Sequence, residues 1–222
     1  REVLKNGRLK KNRTGVDTYR LVGQSRTYDV SQFAPMVTKR KLSLNAIVAE
    51  LRWYLHGKTN AIELKEKYGS SVWMPWVSPE FEQKNRLVEG DLGFIYGAEA
   101  IDFNGQHYGG QEKTRPYIGQ CNQVDRMINL IKTDPDRRDI LLSVWNPLRL
   151  EKIRLKTCHF AFQVLANEDD KTLDGIFYMR SSDLVCGTPF NLMFYYVFLY
   201  ILGLECGYKP NSLTHVAGDA HI

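Results

Sequence analysis

Cys158 and the residues that follow it are the first whose types and spacing could do chemistry. Most free cysteines only pack in a core, and a reactive one forms its thiolate beside cations in a partly accessible site. Cys158 is followed by His159, and Arg180 and Asn191 come later in the chain. An arginine can lower the pKa of a thiol and can also hold a phosphate through its planar guanidinium. This set therefore predicts a thiolate nucleophile that acts on a phosphorylated small molecule.

Two alternating apolar runs must position this cysteine. Residues 159–166 and 172–179 have the pattern of β-strands, and the polar residues 167–171 between them have the pattern of a turn. Antiparallel pairing places the start of the first strand beside the end of the second. The sequence therefore predicts a hairpin that brings Cys158 and Arg180 together at one end of a sheet.

The remaining elements predict an α+β fold in a single domain over residues 1–222. Helices are predicted over 43–56, 60–68, 123–132 and 188–203, strands over 18–22, 140–145 and 212–217, and a turn with a short strand over 35–40. The run 188–203 is the most apolar in the chain. It is shorter than the about 20 uninterrupted apolar residues that a membrane span needs. We therefore expect a buried core helix and no membrane partner.

Composition limits the class of protein. The chain has 222 residues, of which 43% are hydrophobic and 25% charged, with a formal net charge of +5. These values are ordinary for a globular protein and argue against disorder. The basic segments at 5–12 and 38–41 are too short and scattered to form a nucleic-acid-binding stripe, so we do not expect nucleic acid as a partner.

Cysteine usage indicates a reduced compartment. None of the four cysteines forms a CxxC pair, and no histidine lies at zinc-like spacing from them, so we expect no metal site. No signal peptide is visible, and we expect free thiols in a cytoplasmic protein.

Blocks spread along the chain resemble the thymidylate synthase family in their order and spacing. They are Arg13-Thr14-Gly15, Arg137-Arg138, Ser143 to Pro147, Cys158-His159, Arg180 to Asp183, Gly187 to Asn191 and Gly218 to His221. The resemblance implies the family's fold, a large mixed β-sheet packed with helices, with the sheet forming a homodimer interface. It also implies that both ends are truncated, because the chain does not begin with Met and the family usually continues past this point.

The substrate that the resemblance implies is dUMP, with Cys158 as the nucleophile that adds to the pyrimidine. Arg13, Arg180 and Ser181 would hold the 5′-phosphate, and Arg137 and Arg138 would reach the site of a partner subunit. Asn191 would bind the pyrimidine, and His221 would contact the sugar.

The co-substrate that the resemblance implies is 5,10-methylenetetrahydrofolate. Its binding residues would be Trp73, Trp76, Asp183 and Gly187, and Asp183 would also belong to the catalytic set. Glu50, Tyr96 and His159 would manage water and protons. From the pattern alone, Glu50 fits a rim-exposed position on helix 43–56 equally well, and the spacing of the two tryptophans is more typical of core residues.

Two products stay open at this stage. Trp73, Trp76, Tyr96 and His159 favour a synthase that makes dTMP. Met179, where most synthases have glutamine, departs from the family's pattern, as do Thr157 and residues 98–101. These departures leave a dUMP hydroxymethylase that makes 5-hydroxymethyl-dUMP as the alternative. A non-catalytic RNA-binding relative is a more distant one.

Overall fold

In a computed structural model, the protein is described over residues 1–11, 15–105 and 121–222. The chain divides into two compact units. The first unit contains residues 1–42, 134–139 and 158–222, and the second contains residues 43–133 and 140–157. The single domain expected for residues 1–222 stays a prediction.

The described residues form strands and helices of an α+β protein. The strands are β1 (Arg8–Lys10), β2 (Thr18–Asp29), β3 (Leu141–Ser143), β4 (His159–Asn167), β5 (Thr172–Asp183) and β6 (Lys209–His221). The α-helices are α1 (Glu2–Asn6), α2 (Leu44–Leu55), α3 (Ala61–Tyr68), α4 (Pro79–Asn85), α5 (Gly97–Ile101), α6 (Gln123–Thr133) and α7 (Thr188–Cys206), and two 3-10 helices span Met74–Trp76 and Pro147–Lys152.

A mixed β-sheet is the centre of the first unit. Its strands lie in the order β1-β2-β6-β5-β4. β5 and β6 run parallel, and the other neighbouring pairs run antiparallel. Buried residues alternate along β5, as expected for a strand with one face against the core. The mixed sheet packed with helices confirms the coarse fold prediction, and the role of the sheet as a dimer interface stays a prediction.

Helix α7 covers this sheet by packing against β5 and β6. By length and composition alone, α7 could cross a membrane, but half of its apolar window is buried inside the protein. Tyr195, Phe198 and Leu199 are almost fully buried. Each such side chain stabilises the fold by about 1.5–3 kcal/mol through burial. The prediction of a core helix is therefore confirmed.

In the second unit, local sequence signals explain where the helices begin and end. The Ser43 side chain accepts a hydrogen bond from the Ala46 amide at 3.2 Å, which caps α2. Asn60 caps α3 in the same way through the Ile62 and Glu63 amides. Helix α6 ends at Thr133, just before Asp134-Pro135, because proline disfavours helical geometry in the preceding residue. The helices predicted from periodicity are confirmed.

Three strand predictions need correction. Residues 35–40 form no strand, and the Arg40 side chain in this segment donates to the carbonyls of Val185 and Cys186 at 2.6 and 2.7 Å. The strand predicted over 18–22 continues to Asp29. Its later residues are mostly polar and do not have a strand pattern of their own, but they pair with β6. The strand predicted over 140–145 is limited to β3.

Candidate active site

The hairpin of β4 and β5 places a thiol beside a guanidinium. His159 pairs with Met179 across the two strands, and the Arg180 amide donates to the Cys158 carbonyl at 2.9 Å. The Arg180 Nη2 atom lies 3.9 Å from the Cys158 Sγ atom. The predicted neighbourhood of Cys158 and Arg180 is confirmed.

Burial and charge act in opposite directions on the Cys158 thiol. Burial raises the pKa of Cys158, and the positive charge of Arg180 lowers it, with burial the larger effect. The sequence-based expectation that nearby cations lower this pKa is therefore wrong for the net shift, although Arg180 acts in the expected sense. The resting protein favours the neutral thiol.

The parallel pair of β5 and β6 brings Asp183 and His221 to the same end of the sheet. The two residues are register partners, and the Leu184 amide donates to the His221 carbonyl at 2.9 Å. Asp183 Oδ1 accepts from the amides of Val185 and Cys186 at 2.9 and 2.7 Å, which closes the loop after β5. The other oxygen of this carboxylate, Oδ2, makes no hydrogen bond within the described ranges.

Asn191 lies in the first turn of α7, against the end of β5. Its Nδ2 atom donates to the Met179 Sδ atom at 3.8 Å, and the Ser182 hydroxyl contacts the same sulfur at 3.7 Å. Ser181, on β5, is partly buried. Gly187 precedes the helix, and a Cβ atom there would meet nothing closer than 3.7 Å, so local packing does not require glycine.

His159 is buried directly after the candidate nucleophile. Its Nδ1 atom lies 2.7 Å from the hydroxyl of Tyr195, and burial lowers the pKa of His159 to about 3. The imidazole is therefore neutral at physiological pH. Sequence reasoning missed Tyr195, because nothing in the pattern of α7 distinguishes it from the other aromatic residues of that helix.

The predicted phosphate-binding arginines differ in their settings. Arg13 lies outside the described residues. Arg137 makes two hydrogen bonds to the Asp139 carboxylate, at 2.7 and 2.9 Å. Arg138 is exposed, and its carbonyl accepts from Gln163 Nε2 at 2.9 Å. Within the described part of the chain, the Arg138 guanidinium makes no ion pair.

The second unit contains its own cluster of predicted site residues. Trp73 Nε1 donates to Glu50 Oε1 at 2.6 Å, and the rings of Trp73 and Tyr96 lie 5.7 Å apart. Burial raises the pKa of Glu50 to about 7, and the hydrogen bond from Trp73 acts against this rise. Trp73 is 7% exposed, whereas Trp76 is 39% exposed and presents part of its ring to solvent.

A buried ion pair in the second unit was not foreseen. Glu99 is fully buried, and its Oε1 atom lies 3.1 Å from Arg149 Nη1 and 3.3 Å from Asn146 Nδ2. The Arg149 guanidinium also lies 4.1 Å from the centre of the Phe94 ring. In the sequence, residues 98–101 stand out only because they depart from the family's pattern. No motif near Arg149 predicts that it forms a buried ion pair.

Across the described ranges, no group of three or more His, Cys, Asp or Glu side chains has a geometry that could hold a metal ion.

Comparison with known proteins gives a single family. A family model described as thymidylate synthase matches residues 1–222. A protein named thymidylate synthase, from Mycoplasma genitalium, is 33% identical over 99% of this chain and 77% of its own length. A bifunctional dihydrofolate reductase-thymidylate synthase from Paramecium tetraurelia is 35% identical over 100% of this chain. The chain spans 47% of that longer relative.

Proposed function

Because the chain belongs to the thymidylate synthase family, we propose that it transfers a one-carbon unit to C5 of dUMP and forms dTMP. The observation that carries this proposal is the Cys158 thiol with Arg180 Nη2 at 3.9 Å, at the sheet end where Asp183 and His221 also lie. A nucleophile and a phosphate-binding cation at one place are what a nucleotide-modifying thiolate enzyme requires.

Cys158 would activate the pyrimidine by covalent addition. C5 of uracil is a weak nucleophile, so direct attack on a one-carbon donor is slow. Addition of the Cys158 thiolate to C6 moves the electron pair of the C5–C6 double bond onto C5 and the adjoining carbonyl. This splits one difficult step into two easier ones. After the one-carbon unit has joined C5, a base takes the original C5 proton, and the thiolate leaves C6 when the product forms, which restores the ring double bond and the enzyme.

The other residues of the first unit would bind dUMP. Arg180, Ser181 and Arg13 would hold the 5′-phosphate, and His221 would contact the sugar. The amide of Asn191 offers both a donor and an acceptor, which match O4 and N3–H of uracil. A flipped amide would match cytosine equally well, so uracil as the base rests on the membership of the thymidylate synthase family.

The chain's residues fit a folate co-substrate, which would supply the one-carbon unit and, for dTMP, a hydride. Trp76 presents an aromatic surface to solvent, and Trp73 lies buried beside Glu50. A flat aromatic ring suits a pterin, and the second oxygen of Asp183 can accept a hydrogen bond from it. Glu50 has a pKa of about 7, so it can release and recover a proton at neutral pH. Tyr96 and His159 would complete the proton-handling set, and Gly187 would lie beside the co-substrate.

We further propose a cytoplasmic homodimer in which Arg137 and Arg138 reach the phosphate of the partner subunit. Apolar side chains left exposed on the sheet support an interface there: Leu9 on β1 and its register partner Tyr19 on β2. Arg138 is already exposed, whereas Arg137 would exchange its Asp139 partner for the phosphate.

The second candidate is a dUMP hydroxymethylase. Met179 favours it, because most synthases of the family have glutamine at this position and a branch of the hydroxymethylases has methionine. The Met179 thioether contacts Asn191. The relatives reported above are named as synthases, which favours dTMP as the product.

Product analysis by mass spectrometry tests the proposal. Full-length protein is incubated with dUMP and methylenetetrahydrofolate, and we expect dTMP with dihydrofolate. 5-Hydroxymethyl-dUMP with tetrahydrofolate would establish the second candidate instead. Cys158→Ala should abolish turnover, while Cys121→Ala, which removes an exposed thiol of the second unit, should retain it. Turnover in the Cys158→Ala variant would contradict the role of the nucleophile.

A further inference from the structure

The contact between Tyr195 and His159 joins two buried polar side chains. The Tyr195 hydroxyl lies 2.7 Å from His159 Nδ1, and the two rings meet edge to face with centres 5.3 Å apart. Tyr195 is 1% exposed and His159 is 8% exposed. A hydrogen bond of this length between buried groups restrains both partners, because its loss has a cost in free energy that an exposed pair would not have.

The surroundings of Tyr195 hold its hydroxyl at one position. Its ring stacks on Phe177 of β5, with centres 4.7 Å apart and planes 17° from parallel. The centre of the Phe162 ring, on β4, lies 4.9 Å from the centre of the Tyr195 ring. The tyrosine is therefore clamped between its helix and two strands of the sheet, and close packing leaves its ring little freedom.

The identity of the contacted nitrogen matters because the imidazole is neutral. A neutral histidine carries its proton on one nitrogen only, and the partner of the other nitrogen selects which one. A phenol is a better hydrogen-bond donor than acceptor. When Tyr195 donates to Nδ1, the proton of His159 is on Nε2.

We propose that Tyr195 is a positioning residue that holds His159 in its Nε2–H form directly after the nucleophile Cys158. Nε2 is then the atom through which His159 exchanges protons during turnover. The catalytic consequence rests on the proposed function, whereas the form of the imidazole is a property of the protein without substrate.

The first test is a spectroscopic measurement on the protein without substrate. Full-length protein labelled with ¹⁵N in its histidines is measured by NMR, and His159→Gln identifies the His159 signals. We expect Nε2 to be protonated and Nδ1 to have the shift of a hydrogen-bond acceptor. Tyr195→Phe, which removes only the hydroxyl, should shift the Nδ1 signal and mix the two forms. A proton on Nδ1 in the wild-type protein, or unchanged signals in the variant, would overturn the proposal.

The second test is kinetic and uses a neighbouring tyrosine as the control. Tyr195→Phe should lower kcat on the order of tenfold with little change in KM for dUMP, because a displaced proton-transfer group slows the chemical steps. Tyr196→Phe removes a hydroxyl from the next residue of α7, whose ring pairs with Tyr200 instead, and should leave kcat unchanged.

A double variant shows whether Tyr195 acts through His159. In a His159→Gln background, Tyr195→Phe should cause no further loss of kcat. Independent, multiplying losses would overturn the positioning role. If the wild-type protein makes no dTMP, the proposed function fails, but the NMR measurement still decides the form of His159.

Discussion

Cys158 and Glu50 are both partly buried, and each has a polar neighbour that opposes the effect of burial on its pKa. Burial raises the pKa of each, Arg180 opposes this rise at the thiol, and Trp73 opposes it at the carboxyl. As a result, the Cys158 thiol is neutral at rest, and the pKa of the Glu50 carboxyl lies in the physiological pH range. A group that changes charge near neutral pH is suited to acid–base work.

Glu50→Gln should make the protein less active and more stable. The folded-state pKa of about 7 exceeds the ordinary value of 4.5, so the folded protein holds a proton that the unfolded chain releases between these values. The protonated carboxyl therefore contributes stability that is full below pH 4.5 and is lost as the pH rises to about 7. Glutamine stays neutral and should stabilise the protein at pH 8 by about 3 kcal/mol relative to wild type. Activity should fall on the order of 100-fold.

Urea unfolding at pH 5 and pH 8 measures this effect. The stability difference between Glu50→Gln and wild type should be small at pH 5 and large at pH 8. Glu66→Gln changes an exposed carboxyl on α3 and should follow the wild-type curve. A Glu50→Gln protein with the wild-type pH dependence would show that Glu50 has no raised pKa.

Single residues also mark the limit of prediction from sequence. The closeness of Cys158 and Arg180 follows from strand pairing alone, because Cys158 directly precedes β4 and Arg180 lies on its antiparallel partner β5. Tyr195 and His159 come from a helix and a strand, 36 positions apart, and no local pattern relates them. Predicting such a contact requires the packing angle of α7 on the sheet, which the chain does not encode in any single segment.

Among the elements, helices were easier to predict than strands for physical reasons. Periodicity and capping residues act within one segment, so Ser43 and Asn60 mark helix starts directly. Where a strand begins and ends depends on the neighbouring strand with which it pairs. β2 extends to Asp29 because β6 offers it a partner, whereas residues 35–40 have a side-chain anchor, Arg40, in place of a ladder.

The contact between α5 and the second 3-10 helix depends on the pair of Glu99 and Arg149. Arg149→Met should destabilise the protein by about 3–5 kcal/mol, because it leaves the fully buried Glu99 carboxylate without its cation. Glu99→Gln should cost less, since Arg149 retains its contacts with the Gly105 carbonyl and the Phe94 ring. Thermal unfolding of both variants measures the difference.

A surface ion pair in the same unit provides the control for this prediction. Lys67 and Glu63 lie 3.3 Å apart on α3, and Lys67 is largely exposed. Lys67→Met should cost less than about 1 kcal/mol, because water and salt screen the exposed Lys67 charge and Glu63 keeps Lys58 Nζ at 3.6 Å. If Arg149→Met lowers the free energy of unfolding no more than Lys67→Met does, then the buried pair does not stabilise the contact between α5 and the second 3-10 helix.

At the scale of the whole molecule, the dimer proposal makes each active site depend on two chains. Cys158 and Arg180 belong to the same hairpin, so they must serve the same site from the same chain. Arg138 is exposed, and in the proposed assembly it serves the site of the partner subunit. A chain with an intact Arg138 can therefore restore the site that contains the intact Cys158 of an Arg138 variant, whereas a second chain cannot supply Arg180 to a site that has lost it.

Mixing inactive variants tests this arrangement. Cys158→Ala and Arg138→Ala proteins, each impaired alone, are unfolded together, refolded as a mixture and assayed for dTMP formation. Activity should return, because a mixed dimer combines the intact Cys158 of one chain with the intact Arg138 of the other. The control mixture of Cys158→Ala with Arg180→Ala should stay inactive. Each site takes both Cys158 and Arg180 from one chain, so every site of a mixed dimer lacks one of them. No recovery with Arg138→Ala would mean that this arginine serves its own chain or that no shared site forms, and sedimentation of the mixture would separate these two outcomes.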